Sequence, residues 1–466
     1  MKCSRYWQIA AILSLTILFS PPSSLAKEMA EYSVKDCIEM AVKFSPEIQQ
    51  KRQDLEIAKT RLAEAEGYQW PQLEILALGG PSPQAHASSP GPGGWIDSSP
   101  YRNDKIRGIG IFGSADIKIV QPIYTFGRIS EAKKAAEHGI KVERSMVQQK
   151  ATEVALEINK YYYGHLAALE GKKLVGEIDG YLKSTMDKTK KLLEAGSEYA
   201  TELDLYKLEA FQGMLDKYRE EANRDAILSK EALRTFIGLG KNAEFDLQDK
   251  TLEPVGDAVD DFNVYVAKSK EFRPEFTQLK EAIQAKDSLY KMAYADYFPK
   301  IFAVGFYSYA DASDRDRVTN AFIFDYFRHS VGGVALGLKW DIDFGITKSK
   351  ANRALADRLK YERISDYANI GIPLQVEKSY RELMESKQNI ESTKKAYQSA
   401  RKWMVGAILN YDMGVSDVKD AADGLLAYGT IKKEYIMSVY NYNMSHANVL
   451  HASGLAASRV KIEVDK

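Results

Sequence analysis

Two long intervals occur twice in this chain, and any fold it adopts must accommodate both copies. Pro46, in Ser45-Pro46-Glu47, precedes Pro71 by 25 residues, and Pro274, in Arg273-Pro274-Glu275, precedes Pro299 by 25. Gly127, in Phe126-Gly127, precedes Gly196 by 69 residues, and Gly345, in Phe344-Gly345, precedes Gly414 by 69. A compact enzyme rarely needs two equal rulers of that length. A duplicated chain of long helices separated by short strands does.

The first residues read as an export signal over 1–26. Lys2 and Arg5 supply the positive region, Ile9 to Phe19 the apolar core, and Ser24-Leu25-Ala26 a small-residue cleavage site, so the mature chain is expected to start at Lys27. The apolar run is too short to span ~30 Å of hydrocarbon. Cys3 leaves with the signal, and Cys37 becomes the single mature cysteine, with no intrachain disulfide possible. It sits among Val34, Ile38 and Ala41 and reads as a small buried hydrophobe. Without Lys2 and Arg5 the 64 basic residues become 62 against 64 acidic ones, a balance that does not suggest nucleic acid. No mature segment approaches a helical span. Two classes remain: a soluble exported protein, or strands that cross an outer membrane.

Residues 33–67 have helical character, with Ser33 as N-cap, a restart at Ser45-Pro46-Glu47, and Ile48, Leu55, Ala58, Leu62 and Ala65 as the apolar stripe. After Gly67-Tyr68-Gln69-Trp70-Pro71 the period changes to two. Strands are expected near 72–80, 107–121, 300–310 and 330–343. In the second of these Ile109, Ile111, Ala115, Ile117 and Ile119 share one face; in the fourth Val334, Leu336, Leu338, Trp340 and Ile342 do. Each strand pair encloses a loop, one at 80–106 that is rich in Pro, Gly and Ser and so expected to be irregular, the other at about 311–329. Beyond each Phe-Gly a long helix is expected. Val147, Val154, Tyr161 and Ala168 recur at seven-residue spacing with Ala151 and Ile158 between them. A helix from Gly127 to Gly196 is on the order of 100 Å long. Return helices are expected over 202–237 and 420–452. The resulting division is 27–239 for the first repeat, 240–265 for a connector, 266–454 for the second repeat and 455–466 for a tail.

Strands with one apolar and one polar face suit a barrel with lipid outside and water inside. Four strands per chain cannot close one, because an open sheet edge cannot face lipid and about eight strands is the least a membrane barrel uses. Closure demands several copies, and three would supply twelve strands. The alternative is a small soluble sheet capping a coiled coil. The aromatic residues Tyr68, Trp70, Tyr124, Phe126, Tyr297, Phe298, Trp340 and Phe344 all lie where strand meets helix, which reads as a girdle at one membrane surface.

Over about Tyr32 to Gly454 the chain resembles the TolC family of outer-membrane efflux factors. The residues that carry this are the Ser-Pro-Glu helix start, the helix ending at Trp70-Pro71, Gln121-Pro122-Ile123-Tyr124-Thr125-Phe126-Gly127-Arg128, and Gly196 followed by Thr201-Glu202-Leu203-Asp204. The resemblance implies a mostly helical homotrimer. Its twelve-stranded barrel in the outer membrane would be continuous with a periplasmic tunnel of paired helices, docked on a periplasmic adaptor and an inner-membrane pump of RND, ABC or MFS type. It implies no catalysis and no cofactor. By the family's spacing from Gly414, Asp420 and Asp423 would form the acidic collar of a periplasmic gate. Tyr411 would act as a closed-state latch against Thr201 and Glu202. The family's second latch residue, an Arg, is Ser416 here, so the closed state is expected to be bonded differently.

Rival classes leave little trace. The six His residues (86, 138, 165, 329, 446 and 451) show no metal-ligand spacing, and neither Gly-x-Ser-x-Gly nor a P-loop occurs. A periplasmic coiled-coil protein that never enters a membrane is the remaining alternative. Small-molecule efflux and type I protein secretion are not distinguished by these residues.

Overall fold

The structure, a computed structural model, describes residues 30–85, 108–198, 200–256, 258–318 and 322–460. The expected signal segment and most of the Pro/Gly/Ser-rich loop lie outside them. The chain opens with a short strand β1 (Ala30–Tyr32), then α1 (Val34–Phe44) and α2 (Pro46–Gly67). Ser33 and Asp36 form a reciprocal capping box on α1, and Pro46 occupies the first turn of α2. Next come β2 (Gln72–Pro83), β3 (Ile109–Tyr124), α3 (Arg128–Glu194) and α4 (Glu202–Phe236).

The second half repeats the order. After β4 (Phe245–Leu247) it runs α5 (Phe262–Phe272), α6 (Pro274–Tyr294), a 3₁₀ turn (Ala295–Tyr297), β5 (Lys300–Ala312), β6 (His329–Lys339), α7 (Ile346–Asp412), α8 (Val418–Ala452) and α9 (Leu455–Arg459). The long helices α3 and α7 have 67 residues each, and the return helices α4 and α8 have 35 each. Among the described residues the glycines with positive φ are Gly127, Gly196 and Gly238, matched by Gly345, Gly414 and Gly454. Each pair ends or starts the same helix in its half, where a side chain would cost conformational strain.

Four strands form one antiparallel sheet in the order β2-β3-β5-β6, so the two halves join side by side through β3 and β5. The connector does more than link the halves. It contains β4, which pairs in parallel with β1, and α5 begins inside it. Neither short strand has enough alternation to be read from sequence.

Three apolar clusters hold the helices. One joins Cys37 and Ala41 of α1 to Val154, Ile158 and Tyr162 of α3, Leu233 of α4 and Phe245 of β4. A second makes the equivalent joint from Tyr265, Val376, Leu383, Tyr442 and Val449. A third, near the hairpin tips, takes Leu182, Leu208, Met404, Tyr411, Val418 and Tyr428 from all four long helices. Burial raises the Cys37 thiol to about 12, so it is an inert hydrophobe at neutral pH.

Three local expectations are corrected. Strand β6 ends at Lys339 instead of 343, because Asp343 accepts hydrogen bonds from the Gly345 and Thr347 amides and the Thr347 hydroxyl and so caps α7. Strand β2 runs on to Pro83 through residues expected to be irregular; it lies at the sheet edge, where a missing proline N–H is tolerated. The seven-residue seam of α3 holds through Val147 and Val154 but then passes to Tyr162 and Leu166, leaving Tyr161 and Ala168 half-buried. A straight helix drifts by about 20° per heptad against a seven-residue repeat.

Candidate functional site

Register sorts the sheet residues onto two faces. Leu73 and Ile75 lie opposite Ile119 and Ile117; these lie opposite Gly305 and Tyr307, and Gly305, Ala303 and Ile301 lie opposite Val334, Leu336 and Leu338. This face is apolar across all four strands, exposed on β2, β3 and β6 and half-buried along Ile301, Ala303 and Gly305 of β5, with Val334 at 89%. A contiguous apolar surface of this kind marks a lipid or protein contact. The other face carries Glu74 opposite Lys118, Asp116 opposite Ser308, and Lys300 opposite Lys339, with Leu76, Leu78 and Phe306 among them. Strands β2 and β6 are the sheet edges.

At one end of the sheet the aromatic residues gather. Trp70 lies between α2 and β2 and is 71% exposed. Tyr124 meets Phe126 with ring centroids 4.7 Å apart, and Phe126 stacks on Phe298 at 5.1 Å. Phe126 holds a positive φ of 51° where β3 turns into α3. Trp340 donates from Nε1 to the Tyr297 carbonyl at 3.2 Å, and Phe344 stands fully exposed. Gln121 donates to the Gln69 carbonyl at 2.9 Å, fixing the α2–β2 junction beside β3.

At the far end of the helices the chain turns twice, at Gly196 and Gly414, where an added Cβ would meet no atom within 4 Å. These glycines serve the backbone turn and not close packing. Thr201 caps α4 in a reciprocal box with Asp204, and Glu202 is exposed in the first turn. Asp420 and Asp423 are exposed on α8, while Ala421, Ala422, Gly424 and Leu425 turn inward. Tyr411 is buried, and within the chain its hydroxyl meets Thr189 Oγ1 at 2.6 Å rather than Thr201 or Glu202. Burial raises its phenol. Beside it the Lys188 ammonium reaches the Asp412 carboxylate at 3.2 Å and also its carbonyl. Ser416 Oγ is buried with no hydrogen-bond partner among the described residues. Thr189 and Lys188 escaped the sequence reading; they fall in a helical stretch with nothing but position to single them out.

Two further features join the hairpins. Glu177 of α3 accepts from the Tyr428 hydroxyl with both oxygens at 2.9 Å and from Lys432 at 2.7 Å, both on α8. An apolar groove of about 830 Å³ opens between α4 and α8, floored by Gly164, Ala168 and Gly171 of α3 and walled by Phe211, Met214 and Leu426. Among the described residues no helix is long and apolar enough to cross a membrane.

No family model and no curated protein matches the chain. Solved structures do. A membrane protein from Pseudomonas aeruginosa is 15% identical with a TM-score of 0.74, covering 91% of each chain. The Campylobacter jejuni outer-membrane channel CmeC is 14% identical with a TM-score of 0.74, covering 90% of this chain and 85% of that one. The outer-membrane protein VceC from Vibrio cholerae is 14% identical with a TM-score of 0.71, covering 90% of this chain and 96% of that one. The chain therefore has the TolC-like fold that the sequence resemblance implied.

Proposed function

We propose that this chain, sharing the fold of TolC-like outer-membrane channels, is the outer-membrane conduit of a tripartite exporter. The observation that carries this is the sheet: an exposed apolar face, a charged opposite face, and two unpaired edges 12 and 11 residues long. In hydrocarbon each unpaired backbone group costs several kcal/mol, so with roughly six residues of each strand pointing outward the penalty reaches tens of kcal/mol. That exceeds the roughly 5–15 kcal/mol by which a typical fold is stable. Pairing β2 of one copy with β6 of the next removes it, and three copies close twelve strands. The apolar face then meets lipid, the charged face lines water, and the aromatic end lies at the periplasmic surface.

Each repeat (27–239 and 266–454, joined by 240–265) contributes one long hairpin to a six-hairpin tunnel below the barrel. Asp420 and Asp423 stand three apart on the exposed face of α8 near its tip, where threefold symmetry makes a six-carboxylate collar that favours cations. Tyr411 and its neighbours act as the latch of the closed state, with the role of Thr201 and Glu202 reserved for contacts between copies. The groove between α4 and α8 suits an amphipathic helical hairpin of a periplasmic adaptor, which in turn engages an inner-membrane pump. The chain itself performs no catalysis.

The test is export followed by reconstitution. The full chain, expressed in a Gram-negative host, is expected in the outer-membrane fraction as a heat-modifiable trimer, and the purified protein is expected to give cation-selective conductance in planar bilayers. A soluble periplasmic product with no conductance would instead support a structural coiled-coil protein.

A further inference from the structure

The two repeats meet inside one chain along a continuous seam. Strand β3 pairs with β5, and α3 packs beside both α6 and α8. On the outer flanks, β6 and α7 of the second repeat and β2, α2 and α4 of the first keep an exposed side. The duplicated residues fix which positions are equivalent. Gly127 and Gly345 lie 218 apart, Pro71 and Pro299 lie 228 apart, and Gly238 and Gly454, which follow α4 and α8, lie 216 apart. Each contact across the inner seam therefore has a counterpart on the outer flanks, in which α7 stands for α3, α2 for α6 and α4 for α8.

These counterparts are exposed, and their chemistry has changed. Phe126 stacks on Phe298 at 5.1 Å; the matching residues are Phe344 and Trp70, both exposed. Beside that stack Arg128 pairs with Asp296; the matching residues are Ile346 and Tyr68, again both exposed. Farther along the long helices, Glu177 accepts from Lys432 at 2.7 Å, and both side chains are half-buried. Here the matching residues are Lys395 and Asp216, so the signs are exchanged. Lys395 is exposed and unpaired among the described residues. Gln212 and Arg219 both bind Oδ1 of Asp216, whose side chain stays 53% exposed.

We propose that the seam between copies is a sign-inverted replica of the seam within the chain: Lys395 meets the next copy's Asp216, and Phe344 stacks on the next copy's Trp70. The inference rests on the ring of copies proposed above and adds the rule that orders its helices. Two wrong neighbours compete with correct closure. Helix α7 against another copy's α8 sets Lys395 against Lys432, and α3 against another copy's α4 sets Glu177 against Asp216. Each error brings like charges together. Specificity comes from penalising the wrong partner as well as favouring the right one, and interhelical charges choose partners in the same way in coiled coils. First and second hairpins therefore alternate around the ring. The aromatic stack and the Ile346–Tyr68 contact anchor the seam, because apolar side chains that stand in water until copies meet gain from burial when they do.

The test uses the full exported chain in outer membranes. Lys395→Glu, which sets two acids together at every seam, is expected to fall apart to monomer at a lower temperature than the parent trimer. Asp216→Lys is expected to do the same, and Lys395→Glu combined with Asp216→Lys is expected to recover the parent's behaviour. A double variant no better than the single ones overturns the inverted pair. In a Cys37→Ser background, Phe344→Cys with Trp70→Cys is expected to be joined between copies by a short bifunctional thiol reagent, giving a ladder up to the trimer. Phe126→Cys with Phe298→Cys, the equivalent pair within one chain, calibrates the reagent's reach and is expected to react without leaving the monomer. Monomers from the Phe344 and Trp70 pair, in protein whose β2 and β6 edges still crosslink between copies, overturn the seam while leaving the channel standing. Loss of both ladders overturns the channel reading itself.

Discussion

The Tyr411 hydroxyl donates to Thr189 Oγ1. The donor is assigned because the single Thr189 proton is directed to the Thr185 carbonyl at 2.8 Å, leaving the hydroxyl oxygen to accept from Tyr411 at 2.6 Å. The two substitutions at this contact therefore differ. Thr189→Val strands a buried phenol hydroxyl and is expected to cost about 2 kcal/mol, whereas Tyr411→Phe leaves Thr189 bonded and costs about 1 kcal/mol. Chemical unfolding of the detergent-solubilised protein measures both. If the contact is a latch, each change also raises single-channel conductance; equal stability losses would refute the donor assignment.

The acidic pair Asp420 and Asp423 stands exposed on α8. Removing it by Asp420→Ala with Asp423→Ala is expected to raise single-channel conductance and weaken block by multivalent cations, since six carboxylates around one axis are replaced by none. Unchanged recordings would reject the collar.

Gly454 and Gly196 share a left-handed backbone but differ in what surrounds them. An added Cβ at Gly454 would lie 2.6 Å from the Arg273 backbone nitrogen, whereas at Gly196 it meets nothing within 4 Å. Gly196→Ala is expected to cost only the backbone strain, about 1 kcal/mol, and Gly454→Ala more than about 2 kcal/mol because the α5–α6 junction must move. Thermal unfolding of the two variants ranks them; the reverse order would contradict the packing.

Glu275 makes a pH-dependent contribution at that same junction. Burial pushes its carboxyl up, but the Arg273 guanidinium, 2.6 Å away, outweighs burial and holds it below the ordinary value of 4.5. A carboxyl lowered by folding stabilises the native state above its unfolded value and loses that contribution as pH falls through the folded one. Glu275→Gln is expected to cost on the order of 2 kcal/mol at neutral pH. Its stability deficit should narrow as pH drops below 4.5. A deficit constant with pH would mean that the charge on Glu275 contributes nothing.

Much of this architecture could be read from the residues alone because long periodic elements overrule local detail. The equal Gly-to-Gly intervals became equal helices, and the Ile alternation of β3 became an exposed apolar face. The misses share a cause, which is that short polar residues serve several roles. Asp341 and Asp343 continue a strand alternation in sequence, yet Asp343 is a helix cap. Gly79-Gly80-Pro81 looks like a turn, yet pairing with β3 keeps it extended. The tip contact of Tyr411 depends on a residue 222 positions away, and no local pattern announces such a pair.

The most direct test of the central claim is the closure of the sheet between copies. In a Cys37→Ser background, cysteine pairs are placed one on β2, such as Ile75→Cys, and one on β6, such as Leu336→Cys, with the partner position stepped along the strand. Strands β3 and β5 separate these edges within one chain, so a bond between them must join two copies. Oxidation in the outer membrane is expected to yield a covalent ladder ending at the trimer. Monomers at every register, from protein that stays soluble without detergent, would contradict the account.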